Sequence, residues 1–197
     1  MAKTKNGETG ASPSAEGLAV AAKAATRKGP PPVHLWNPPF CGDIDMRIAR
    51  DGTWFYLGTP IGRAELVRLF AGIIRKDGDD YFLVTPVEKV GISVEDAPFV
   101  AVDFNPVDGG LEFVTNVGDR VVAGPDHPVR VVRDPVTGEP SPYVLIRRNL
   151  EALIDRKSFY RLVDLGEVDV VDGEEWFGVR SGGMFFPVIL AAELDNG

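Results

Sequence analysis

Residues 43–58 read DIDMRIARDGTWFYLG. Ile44, Met46 and Ile48 alternate with Asp43, Asp45 and Arg47, the two-residue period of a strand with one apolar face. Asp51-Gly52 suits a two-residue type I′ turn. Together these predict a β-hairpin. With that turn, Ile48 faces Phe55 and Met46 faces Leu57 on the core side. The opposite face then carries Asp45, Arg47, Trp54 and Tyr56. Two aromatics among opposite charges are more than a solvated surface needs, so this face is a candidate ligand wall.

Just upstream, HLWNPPFCGDID (residues 34–45) gathers one of two histidines, the single cysteine and one of three tryptophans. Asp43 and Asp45 sit two apart on a strand and Asp51 is a turn residue, so strand and turn chemistry accounts for them better than a metal does. Cys41 has no Lys, Arg or His beside it to lower its pKa, and it reads as a small buried hydrophobe rather than a nucleophile. His34 and Trp36 lie in a Pro-rich connector that either seals a hydrophobic edge or touches a ligand. The stretch reads as a loop that shapes a site, not as a catalytic centre.

Further upstream, residues 1–29 are rich in Ala, Gly, Ser, Thr and Lys and almost free of large apolar side chains. Such a segment reads as a disordered tail, with at most a transient helix near Ala15–Lys28. Gly29-Pro-Pro-Pro32 is a stiff spacer. Downstream, RAELVRLFAGII carries Leu66, Leu69, Phe70, Ile73 and Ile74 at helical spacing. DDYFLVTPVEKVGISV gives two strands, and EDAP (residues 95–98) is a boundary. Short strands follow, then a second helical region over Arg148–Leu165, then a three-stranded meander in VDVVDGEEWFGVRSGGMFFPVIL. The organisation is therefore α+β: residues 30–96 and 97–192 form two small β-rich domains, each with a helix.

Two pieces recur. RAELVRLF and RRNLEALI share Arg-x-x-Leu-x-x-Leu, which sets Arg63 against Arg147. DGTWFYLG and DGEEWFGV share Asp-Gly and Trp-Phe. Either the chain is internally duplicated, or amphipathic helices and Asp-Gly hairpins look alike by chance.

The charges exclude some functions. Residues 1–35 hold five Lys/Arg and two Asp/Glu; residues 36–197 hold sixteen and twenty-seven, for a total of −8. An acidic body repels phosphate backbones, so polymeric nucleic acid is not an expected partner. One cysteine makes no internal disulfide, no apolar run reaches membrane-spanning length, and no signal core is evident, so the expectation is a cytoplasmic protein without a membrane span. There is no Gly-x-Gly-x-x-Gly, no Gly-x4-Gly-Lys, no His-x-x-x-His and no nucleophile elbow, so no cofactor, metal or catalytic residue is assigned.

Cations nevertheless crowd the second helical region: Arg147, Arg148, Arg156, Lys157 and Arg161. They form either a solvated helix paired with Glu151, Asp155 and Asp164, or a local anion pocket. In the second reading Arg147 sits at the start of a helix and shares one helical face with Arg156.

HLWNPPFCGDIDMRIARDGTWFYLGTPIGR, together with the later YVLIRRNLEALIDRKSFYRLV, resembles the signatures of a bacterial domain of unknown function, the twelve-eighty-five family. The resemblance spans roughly residues 33–190. It implies two packed domains with a duplicated core, the second superficially like a pleckstrin-homology barrel. It also implies a site between them suited to a nucleotide-like molecule in signalling, and it brings no catalytic residues to carry over. The leading expectation is a non-enzymatic sensor binding a small phosphorylated or nucleotide-like ligand in the interdomain cleft. The expected contacts are His34, Trp36, Asp45, Trp54, Tyr56, Arg63, Arg147, Arg156 and Tyr160. The alternatives are a hydrolase or transferase acting on a phosphorylated small molecule, drawing an acid or base from Asp45, Asp155 or Tyr160, and a protein-interaction domain with a protein partner.

Overall fold

The computed structural model describes residues 13–26 and 30–194. Helix α1 (Ala15–Ala25) comes first, followed by a one-turn 3-10 segment at Val33–Leu35. The first sheet is built from β1 (Phe40–Ile48), β2 (Trp54–Tyr56), β3 (Thr59–Pro60), β4 (Ile74–Asp77), β5 (Asp80–Val84) and β6 (Lys89–Val94), with α2 (Ala64–Ala71) between β3 and β4. Its order is β3-β2-β1-β6-β5-β4, two antiparallel meanders joined by a parallel β1–β6 pair.

Residues 95–98 carry the chain into the second sheet: β7 (Phe99–Val107), β8 (Gly110–Thr115), β9 (Arg120–Val122), β10 (Val129–Arg133), β11 (Pro140–Arg147) and β12 (Leu150–Ile154). Its order is β10-β11-β12-β7-β8-β9, with β7 and β12 parallel. Taken from β9, this is the order of the first sheet with every strand number raised by six. The duplicated core is thus present as topology, but not where the sequence echo placed it. The counterpart of the β1–β2 hairpin is β7–β8. The counterpart of α2 is the turn at residues 123–128, not the stretch from Arg147 to Ile154.

Helix α3 (Arg156–Val163) follows β12, and β13 (Glu167–Val171), β14 (Glu174–Ser181) and β15 (Met184–Leu190) form the expected meander before the short α4 (Ala191–Leu194). The second sheet curls into a half-barrel. The meander packs on it through β14 against β8 and β15 against β10. The buried Ser181 hydroxyl staples the two: it accepts from the Leu111 amide at 2.8 Å and donates to the Ala123 carbonyl at 2.7 Å. The fold is α+β, mostly strand, in two β-rich domains. Among the described residues no helix is long and apolar enough to cross a membrane.

Three expectations change. First, the hairpin register slips by one. Ala49 pairs with Thr53 around a three-residue loop in which Gly52 is left-handed at φ +85°. Ile48 therefore faces Trp54, Arg47 faces Phe55 and Met46 faces Tyr56. A one-residue slip turns every side chain over. Trp54, expected on the outer face, is buried and stacks on Phe70 at 6.2 Å, while Phe55 comes out beneath the Arg47 guanidinium at 4.2 Å.

Second, Arg148–Leu165 is not one helix. Leu150, Ala152 and Ile154 are buried on alternate residues, so this run is strand β12. A short apolar run fits both periods, and here parallel pairing with β7 decides it. Asp155 then starts α3 by accepting the Ser158 amide at 2.7 Å. In the same way α2 stops at Gly72, and Ile73 and Ile74 lead into β4.

Third, residues 13–26, placed above in a disordered tail, carry α1. Ser14 caps it, and Leu18 and Ala22, one turn apart, are fully buried where α1 meets α2. Ala-rich sequence has the highest helix propensity, and one buried Leu supplies the anchor. Residues 1–12 and 27–29 of that expectation lie outside the described residues.

Two outcomes test these points. In urea melts, Trp54→Ala should cost about 3–5 kcal/mol and Phe55→Ala about 1 kcal/mol; the reverse order would restore the two-residue turn. Leu18→Ala should cost about 2–3 kcal/mol, whereas Val20→Ala on the open side of α1 should stay within about 0.5 kcal/mol. Equal, negligible effects would mean that α1 is undocked.

Candidate functional site

The two domains exchange hairpin tips. The β1–β2 tip reaches into the second domain: Arg50 pairs with Asp96 of the connector at 2.7 Å and donates to the Ser141 hydroxyl at 2.9 Å, and the Asn116 amide donates to the Gly52 carbonyl at 3.4 Å. Asp96 also accepts the Tyr143 hydroxyl at 2.8 Å; burial, then the Asp96 carboxylate, pushes the Tyr143 pKa up. In return, the β11–β12 tip reaches into the first domain. Arg147 donates to the Ala71 carbonyl at 2.5 Å, and Asn149 to the Lys76 carbonyl at 3.1 Å. The first of these bonds satisfies a carbonyl that the end of α2 leaves without a helical partner.

Where the β11–β12 tip enters, a cleft of about 320 Å³ opens between the domains. Arg68 in the last turn of α2, Arg147 and Arg148 line it, with Asp119 and the Pro30-Pro31 spacer. Arg147 is neutralised there, with both Asp119 oxygens at 2.7 and 2.9 Å and the Phe99 ring at 4.8 Å. Arg68 is exposed, and its guanidinium has no partner among the described residues. Arg148 holds a left-handed backbone, φ +53°, at the first position of a two-residue tip where glycine is usual. Its guanidinium donates to His34 Nδ1. Arginine is only a donor, so His34 accepts at Nδ1 and carries its own proton on Nε2.

Strand β12 separates the two arginines expected to act together. Arg147 lies at one end of it, and Arg156 lies beyond Ile154 at the other. Arg156 instead donates through Nε to the Tyr160 hydroxyl at 3.1 Å. Both line a second cleft, of about 360 Å³, bounded by Arg50, the start of β11 and the start of α3.

The remaining expected residues lie elsewhere. Trp54 is in the core. Asp45 is exposed on the outer face of the first sheet. Tyr56 and Arg63 line a groove of about 300 Å³ beside α1 and Leu66. Trp36 is half-buried, and its carbonyl accepts from Arg75 at 2.7 Å, which straps the connector to β4. Cys41, expected to be buried, is exposed. Of the other cations, Arg161 pairs with Asp103 rather than with a helix neighbour. No group of three or more His, Cys, Asp or Glu among the described residues could hold a metal ion. Of the expected residues, Arg147 lines the cationic cleft and His34 adjoins it through Arg148. Arg68 and Arg148 were missed as site residues. Asn149, a turn former, was the available signal that Arg148 sits in a tip rather than in a helix.

The comparisons with known proteins bear on the whole of both domains. Residues 31–97 match the family described as "Domain of unknown function (DUF1285), N-terminal domain", and residues 98–188 match "Protein of unknown function (DUF1285), C-terminal domain". No curated protein matches the chain. The 2.50 Å crystal structure of a DUF1285 family protein from Silicibacter pomeroyi DSS-3 is similar, with 61% identity, 90% of this chain and 97% of that one covered, and a TM-score of 0.81. A second, at 1.40 Å from Shewanella baltica OS155, has 34% identity over 60% of this chain and 90% of that one, with a TM-score of 0.49. The chain therefore belongs to the DUF1285 family.

Proposed function

We propose that this protein is a non-enzymatic cytoplasmic sensor that binds a small phosphorylated ligand in the cleft entered by the β11–β12 tip, as part of a signalling response. One observation carries the reading: among the described residues, three arginines line a cleft whose single carboxylate is Asp119, in a chain whose formal charge is −8. Asp119 already serves Arg147, so Arg68 and the Arg148 N–H groups not given to His34 remain to grip an anion. Forked guanidinium groups match phosphate oxygens in pairs. The left-handed backbone at Arg148 adds weight, because strain of this kind persists where the surroundings enforce it and tends to gather at ligand clamps. The reading favours the phosphate of a nucleotide-like ligand over its base. Trp54 and Tyr56, the aromatics of the candidate ligand wall on which a base could stack, are in the core and in another groove.

The test is a thermal-shift series with inorganic phosphate, pyrophosphate and nucleoside mono- and diphosphates, followed by calorimetry. Arg68→Ala and Arg148→Ala should each weaken the best binder by about 1.5–3 kcal/mol, the scale of a charge-assisted hydrogen bond, and leave the melting temperature unchanged. The proposal fails if none of these compounds shifts the wild-type protein, or if both variants bind as well as it does.

A further inference from the structure

We infer that the second cleft, at the opposite end of the β11–β12 hairpin, is a binding site for a zwitterionic α-amino acid with an apolar side chain. The inference is independent of the phosphate reading, because it uses other residues and another cavity. Its first support is the contrast between floor and rim. Leu153, Ile154, Pro142 and Phe159 supply the floor, and two of these, Ile154 and Phe159, belong to the buried core. Pro140 and Pro142 have no N–H, so neither leaves an amide donor unsatisfied beneath an apolar group, and Ser141 between them is paired with Val132 of β10. The rim carries two cations, Arg50 and Arg156, and two carboxylates, Glu139 and Asp155. This balance suits a ligand with one charge of each sign, and it does not suit a phosphate.

The second support is that the rim charges are only partly used. Arg156 and Glu139 lie 3.9 Å apart, too far for a hydrogen bond, and their side chains are 77% and 67% exposed. Arg156 spends Nε on Tyr160, and its two terminal nitrogens have no hydrogen-bond partner among the described residues. Asp155 caps α3 with one oxygen and has no partner for the other among the described residues. Arg50, by contrast, is fixed between Asp96 and Ser141. A ligand carboxylate on the free terminal nitrogens of Arg156, with its ammonium towards Glu139 and the free Asp155 oxygen, fills these vacant valences, with Arg50 as the fixed wall beside it. Its side chain then lies on the apolar floor beneath Tyr160.

Calorimetry on the full chain tests this with L-leucine and L-phenylalanine against three deletions: isocaproate without the amine, isoamylamine without the carboxylate, and glycine without the side chain. At least one of the two amino acids should bind saturably, and each deletion should weaken binding by about tenfold or more. Arg156→Gln and Glu139→Gln should do the same without moving the melting temperature, because both side chains are mostly exposed. Arg120→Ala, on β9 and outside both clefts, should leave amino-acid binding unchanged. The inference is overturned if neither amino acid binds, if isocaproate or isoamylamine binds as well as the amino acid, or if Arg156→Gln and Glu139→Gln have no effect.

Discussion

Gly52 sets the geometry on which the rest of the molecule depends. Its left-handed backbone closes the three-residue loop, and the loop fixes which face of β2 is buried. A Cβ at this position would lie 2.6 Å from Asn116 Nδ2 and 3.0 Å from Val100 Cγ2, both in the second domain. Glycine therefore meets two demands at once, the dihedral angle and the close approach. Trp54 reaches Phe70 because of the first, and Arg50 reaches Ser141 because of the second.

Both sheets solve the same problem in the same way. A parallel pair cannot be joined by a tight turn, so each sheet places its first and last strands at the centre and lets two meanders spread from them. The repeated topology gives each domain hairpins that project beyond its own sheet. The domains meet by trading these tips rather than by pressing flat faces together. Two clefts result, one at each end of the β11–β12 hairpin. One is rich in guanidinium groups; the other is balanced in charge over an apolar floor.

Much of the architecture was legible in the sequence. Period-two alternation marked β1, Asp-Gly marked the first hairpin, and the closing meander was legible in VDVVDGEEWFGVRSGGMFFPVIL. What misled was local. Asp-Gly suits both a two-residue and a three-residue loop, and the contact of Gly52 with Asn116 and Val100, distant in sequence and in the other domain, belongs to the second. Leu150, Leu153 and Ile154 fit a helix as well as a strand until β7 is laid beside them. The echo between RAELVRLF and RRNLEALI compared a helix with a strand, whereas the true repeat lies in strand order, which leaves little trace in residue identities. The site was half legible for the same reason. The cations of residues 147–156 were evident, but their division between two clefts depends on β12 being extended. Arg68 came from a helix read only for its apolar face.

The central parallel pairs also govern the order in which the protein can assemble as it is made. Strand β1 leaves the ribosome early, yet its partner β6 is the last strand of the first sheet to be synthesised. Met46 and Ile48 must therefore wait, with one backbone edge open, until the whole of the first domain has emerged. The second domain repeats the delay with β7 and β12. The tip at Arg148 and Asn149 is made just before β12, when its receiving surface at the end of α2 is already complete. The first domain thus serves as the template on which the second is aligned, and the cationic cleft cannot close until the β11–β12 tip has been made.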